Sequence, residues 1–360
     1  MLTSGHADPA WFSAAFLAQV PVASVDTLIA QLAAALGAYK GIDGENGDYT
    51  VRYEKGTDEV LIHLDADNKI DAFLFKPPKT TTSLDDALNK LRTSKGTVSY
   101  VISEGAAETA ALNASDALAV GSAFKLAVLS ALRDEISTGR RHWTDVVPLR
   151  SSWKTLPSGV IRTWPDGLPM TLATYAAQMI SISDNTAADA LASIVGPTAL
   201  RKHAGRNAPF LTTREMFTLK STEGASLRAA FLAAGTPNER SAVLRRVDAL
   251  PLPSLTTLLS QPVLSIEWHF TVRELCSLMA RVADLPLMTI NPGVANPADF
   301  RRVAYKGGSD TGVINLTTHV TTKRGTTLCF SATLNNATAA VDESAFELVY
   351  AAALGALANR

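Results

Sequence analysis

The chain has 360 residues, 47% hydrophobic and 19% charged, which suits one large or two ordinary globular domains. Its formal net charge is −1 and it has no basic run, so nothing electrostatic supports a nucleic-acid partner. Its six histidines stand in no HExxH or HxH spacing and its two cysteines form no CxxC, which argues against a metal hydrolase.

In chain order, the first lysine or arginine is Lys40 and Asp8-Pro9 breaks the early apolar pattern, so no signal peptide is read. The protein is then either cytosolic, or periplasmic or secreted with a leader trimmed. Residues 1–78 read as a small α+β unit. Trp11, Ala15 and Phe16, then Leu28, Leu32 and Leu36, recur at helical spacing, with Gly37 as the stop. Strands are expected at 49–53, 59–64 and 70–75, with a turn at 65–69. The polar, proline-bearing stretch 77–82 reads as a linker and marks the domain boundary.

A second domain is expected over 83–360. Ser83 caps a helix that carries Leu84, Ala87, Leu88 and Leu91 on one face. Strands follow at 97–103 and 108–112. Residues 117–290 are almost entirely of helical pattern, with proline-rich breaks near 148–168 and 251–262. Strands return at 303–305, 314–322 and 326–334, and a last amphipathic helix carries Phe346, Val349, Tyr350, Ala353, Leu354 and Leu357. The expected fold class is α+β: one antiparallel sheet built from both ends of the segment, with an all-helical region docked beside it. Cys276 and Cys329 sit in apolar patterns and read as buried free thiols, with a disulfide as the alternative. No segment reads as a membrane span, because the best candidate is interrupted by Lys125.

Lys125 is the only charge between Asp116 and Arg133, in an otherwise apolar or small-residue run. An unpaired ammonium is very costly in such a helix, so the lysine needs a local purpose. Ser122 stands three residues earlier, on the same helical face. That is the geometry of a serine nucleophile with a lysine base. Ser151 and Lys154 repeat the spacing, but between Pro148 and Pro157, where no helix holds them on one face. A second element is Ser183-Asp184-Asn185, which alone also reads as a helix N-cap. A third is Lys306-Gly307-Gly308-Ser309, placed just after the strand at 303–305; alone it reads equally as a glycine turn. Lys323-Arg324-Gly325 lies between two alternating strands and reads as a hairpin turn.

In this order the three elements resemble the signatures of class A β-lactamases and penicillin-binding proteins. The resemblance runs over roughly 83–360 and includes the flanks at 119–139, 168–191 and 270–278. A closer likeness, carried by 153–159, 210–220 and 304–309, is to the β-lactamase-like serine hydrolases of the clavulanic-acid-cluster type. Those place a small steroid-isomerase-like domain before the β-lactamase-like one.

The resemblance implies a β-lactamase/transpeptidase-like fold and a serine hydrolase that needs no cofactor and no metal. Ser122 would be the nucleophile and Lys125 its base, with Lys125 kept neutral by burial and by Lys306. Ser183, supported by Lys306, would relay a proton to the leaving group. Asn185 would bind an acylamino group, Lys306 a substrate carboxylate, and the amides of Ser122 and Ser309 the oxyanion, with Gly308 permitting close approach. Trp153 or Trp164 lines the cleft mouth or sits in the core.

Two departures stand out. Gly307 lacks the hydroxyl usual in the third signature, which should weaken carboxylate binding. No Glu-x-x-Leu-Asn follows Ser-Asp-Asn at the class A distance; Glu215, beside Arg214, reads as a structural ion pair. Deacylation should then be slow and β-lactamase activity weak. The expected substrate is a β-lactam, ester, amide or peptidoglycan-like acyl group. The alternatives are a penicillin-binding receptor or scaffold and a D,D-peptidase.

Overall fold

The structure, a computed structural model, describes residues 1–76, 79–80, 82–358 and 360. Pro77, Pro78 and Thr81 of the expected linker lie outside the described residues.

The central sheet draws its strands from both ends of the segment, as the sequence implies. Its order is Phe300–Asp310, Val313–Thr322, Thr327–Asn335, Thr97–Glu104 and Ala107–Leu112, every neighbour antiparallel. The inner strand Val313–Thr322 is rich in β-branched residues and buried on both faces, because each face is covered by helix. On one side, Leu84–Arg92 and Glu343–Leu357 bury Leu88, Leu91, Phe346 and Tyr350 against Ile102, Leu316 and Phe330. The ring of Tyr350 stacks on Phe330, and its hydroxyl donates to Phe330 O at 2.6 Å. On the other side lies the helix Val272–Val282.

Cys276 on that helix and Cys329 in the sheet are joined as a disulfide, so they are not the free thiols expected. Each residue is buried within an apolar patch, and the patch is where helix and strand meet. The bond closes a span of 53 residues, for which chain-entropy reasoning allows about 4 kcal/mol.

The helical region is organised about Lys125–Ser137, whose residues from Lys125 through Leu132 are all buried. It packs against Asn185–Ala204, Leu172–Ser181 and Val272–Val282. Each fully buried leucine in it contributes about 2 kcal/mol of transfer free energy.

The first seventy-five residues form a separate sheet with two helices, Ala14–Gln19 and Val22–Leu36. The strands Tyr39–Glu45, Asp48–Tyr53, Gly56–Leu64 and Ile70–Phe75 follow one another as an antiparallel meander, and Lys79–Thr80 pairs with the third. Leu32 and Leu36 pack on Val51, Tyr53 and Val60. The strand Tyr39–Glu45 escapes the sequence reading because it is an edge strand, mostly exposed and interrupted by Gly41 and Gly44. The helix Val22–Leu36 touches the final helix Glu343–Leu357.

One boundary differs in a way that matters for chemistry. The strand expected at 303–305 continues to Asp310, so Lys306-Gly307-Gly308-Ser309 lies inside the edge strand and not in a turn after it. Gly307 pairs with Leu316, Gly308 with Asn315 and Ser309 with Ile314.

Candidate active site

Ser122 sits in the 3-10 turn Gly121–Phe124, and the α-helix begins at Lys125. In 3-10 geometry residues i and i+3 eclipse one another, which aligns the two side chains more directly than an α-helix would. The Lys125 Nζ lies 3.2 Å from Ser122 Oγ. It also donates to Ser183 O at 2.6 Å and to Asn185 Oδ1 at 2.6 Å, and Ser183 Oγ lies 3.0 Å away. Lys306 Nζ reaches the same Ser183 hydroxyl at 3.0 Å. Ser122, Lys125, Ser183, Asn185 and Lys306 therefore meet at one place, from three distant parts of the sequence.

Ser183 adopts the left-handed region, with φ 57°. A serine held there costs on the order of 1 kcal/mol, and the conformation turns both its carbonyl and its hydroxyl toward the lysines. Asp184 holds that turn in place. One of its carboxylate oxygens accepts from Val160 N at 2.6 Å and Ile161 N at 2.8 Å, and the other caps the helix that starts at Asn185 through Ala187 N at 2.9 Å. Asp184 is thus the helix N-cap, and the same turn brings Ser183 and Asn185 to Lys125. Ser158, absent from the sequence reading, donates to Ser183 O at 2.6 Å.

Two glycines allow the strand and the turn to touch. A Cβ built on Gly308 would lie 2.3 Å from Ser122 N, and one on Gly121 (φ 50°) would lie 2.8 Å from Ser309 N. The amides of Ser122 and Ser309 are brought side by side by this contact.

Electrostatics follows from burial. Burial pushes the Lys125 amine far below the ordinary lysine value and the Lys306 charge adds to the effect, while Asp189 and Asp184 pull it back up. Lys306 is lowered by burial to about 7. Asp189 is raised by burial to about 6, although its oxygens accept from Thr213 N at 2.7 Å, Thr213 Oγ1 at 2.9 Å and Arg214 N at 3.0 Å.

The cleft over these groups has a volume of about 500 Å³. Its aromatic wall is Phe124 stacked on Trp268, with ring centroids 3.8 Å apart. Trp153 and Trp164 instead belong to the helical core. Trp268 lacked any signal in sequence, being one tryptophan among five.

Glu215 is not in an ion pair with Arg214. Its carboxylate closes a capping box, accepting from Thr212 N at 2.6 Å and Thr212 Oγ1 at 2.8 Å, while Arg214 donates to the carbonyls of Lys154 and Leu250. Glu215 does not line the cleft. Ser151–Trp153 is a 3-10 turn in which Lys154 N donates to Ser151 O at 3.1 Å, but the Lys154 side chain turns elsewhere, to Asp166 at 2.7 Å and Trp164 O at 2.6 Å. Among the described residues no group of three His, Cys, Asp or Glu side chains could hold a metal ion, and no helix is long and apolar enough to cross a membrane.

Residues 81–252 match the family model Beta-lactamase2, described as a β-lactamase enzyme family; the match spans Ser122, Lys125 and Ser183 but ends before Lys306. The fold is shared with a β-lactamase from Sphaerobacter thermophilus (22% identity, TM-score 0.52, 76% of this chain and 95% of that one). It is shared with a β-lactamase from Chitinophaga pinensis (19%, 0.52, 76% and 97%) and with the structure of PBP-A (14%, 0.51, 77% and 94%). No curated protein matches the chain.

Proposed function

From a chain that carries the fold of the β-lactamase-like superfamily, and its family match over residues 81–252, we propose a serine hydrolase that acts through an acyl-enzyme on Ser122. The observation that carries the proposal is how the Lys125 nitrogen is occupied. A neutral amine donates two hydrogens and accepts one. Ser183 O and Asn185 Oδ1, both pure acceptors at 2.6 Å, take the two hydrogens. The lone pair is left for a hydroxyl, with Ser122 Oγ at 3.2 Å and Ser183 Oγ at 3.0 Å. Lys125 removes the Ser122 proton as Ser122 attacks a carbonyl carbon, and the oxyanion forms against the amides of Ser122 and Ser309. The proton then passes through Ser183, held between both lysines, to the leaving group.

The substrates are esters, amides or β-lactams, with weak β-lactamase activity. What supports slow turnover is the orientation of Glu215, tied to Thr212 outside the cleft, which leaves it no part in activating a deacylating water. The same observation favours a second reading, a penicillin-binding receptor that acylates once and stays acylated. We also divide the chain into an α+β domain over 1–78 and the hydrolase domain over 83–360, in line with their separate apolar clusters.

Intact mass after mixing with a penicillin, followed over time, tests this. The expected result is an adduct on Ser122 that decays slowly and is absent in Ser122→Ala. An adduct that never decays selects the receptor. No adduct with a penicillin and no Ser122-dependent hydrolysis of an aryl ester overturns the proposal.

A further inference from the structure

The cleft wall on the side of the edge strand is acidic. Glu267, Asp310, Glu343 and Glu347 line it, against the single lysine Lys306, and no arginine does. Lys220, behind the wall, is shared by two of the four. It donates to Asp310 Oδ2 at 2.6 Å and to Glu267, whose other oxygen, Oε2, is buried without a hydrogen-bond partner among the described residues. Glu343 and Glu347 stand one turn apart in the first part of the final helix, and neither is in an ion pair with a lysine or arginine among the described residues. Burial raises both; the Asp310 charge adds to it at Glu343, where a hydrogen bond to the Ser309 side chain works the other way, and the Glu343 charge adds to it at Glu347.

The missing hydroxyl at Gly307 has a replacement. A Cβ built on Gly307 would fall 2.1 Å from the Tyr305 hydroxyl, so that phenol occupies the space a side chain would fill. Burial works against ionising the Tyr305 phenol, and the negative charge of Glu347 adds to it. A substrate carboxylate would therefore meet a neutral phenol and the carboxylates of Glu343 and Glu347, which no lysine or arginine pairs among the described residues. An ammonium group would meet complementary charge, with the orphaned oxygen of Glu267 in the same wall.

We propose that the cleft selects acyl substrates that carry a cationic ammonium group near the scissile bond and discriminates against carboxylates. This rests on the Ser122 reading for chemistry, but the recognition itself is testable without it. In Ser122→Ala, calorimetry would compare three esters of one scaffold whose terminal group is trimethylammonium, its isostere tert-butyl, or carboxylate. One set would carry that group on the acyl half and another on the alcohol half. In at least one set the cation should bind about tenfold or more tighter than the neutral ester, the effect of one partly solvated charge pair, and the carboxylate weakest. In the Glu343→Gln, Glu347→Gln double variant the cation-to-neutral ratio should fall toward one. Equal binding of the three, tighter binding of the carboxylate, or no binding of any overturns the proposal. A cation preference in a protein whose wild type never acylates would leave the recognition standing and remove the Ser122 chemistry.

Discussion

Lys125 and Lys306 are bridged by one hydroxyl: Ser183 Oγ lies 3.0 Å from the nitrogen of each. Burial lowers both amines, and the Lys306 charge lowers Lys125 further.

The pH dependence of acylation should show this coupling. Acylation by a neutral ester requires Lys125 without its proton, so the rate rises with pH and levels off well below the ordinary lysine value of 10.5. Removing the Lys306 charge removes a repulsion, which raises the Lys125 pKa. In Lys306→Met the rising limb should therefore move to higher pH, whatever happens to the plateau. A limb that stays put or moves down, measured by stopped-flow acylation, would show that Lys306 does not tune Lys125.

Much of this centre was legible in sequence because a buried helix carries one lysine and the lysine has a serine one turn earlier. The sheet was legible too, since its strands show plain alternation at both ends of the segment. Lys306-Gly307-Gly308-Ser309 was misplaced beyond its strand because glycines read as turns; here they mark close approach of another backbone. The Cys276–Cys329 bond was illegible because pairing depends on a helix crossing a strand 53 residues away. Glu343 and Glu347 drew no reading in sequence: Glu343 is an ordinary first-turn acid of the kind that favours a helix N-terminus, and nothing local says that either faces a cleft.

Gly308→Ala should abolish acylation, falling by about 100-fold or more as the amides of the oxyanion site are forced apart. Its Cβ would meet Ser122 N at 2.3 Å, backbone that cannot step aside. Gly355→Ala, where nothing lies within 4 Å on a helix, is the control and should gain about 1 kcal/mol of stability. Single-turnover kinetics and urea unfolding check the pair.

Reduction of the disulfide should lower the unfolding free energy of the hydrolase domain by up to about 4 kcal/mol. The Ser122 centre, built on other elements, should still acylate. Urea titrations with and without reductant, read against Cys276→Ala with Cys329→Ala, measure the loss; a reduced protein that keeps its full stability would contradict it.

Asp58 lies on the inner face of the N-terminal sheet, 1% exposed, and both its carboxylate oxygens lack hydrogen-bond partners among the described residues. Burial, with Glu59 adding to it, raises it to about 7. The folded state then favours the protonated form. Stability is full below the unfolded value of 3.8 and is lost as pH rises toward about 7, by about 1.4 kcal/mol per unit at most. Asp58→Asn should flatten this slope in hydrogen exchange of residues 50–62. An unchanged slope would place the titration elsewhere.

The most direct measurement is the site and rate of covalent labelling by an activated acyl donor, mapped on peptides from the wild type, Ser122→Ala and Lys125→Met. The account predicts label on Ser122 alone in the wild type, none in Ser122→Ala, and labelling slowed by a factor of about 100 or more in a folded Lys125→Met, in the range general-base loss brings. Label elsewhere in the wild type, or undiminished labelling of Ser122 with methionine at 125, would contradict it.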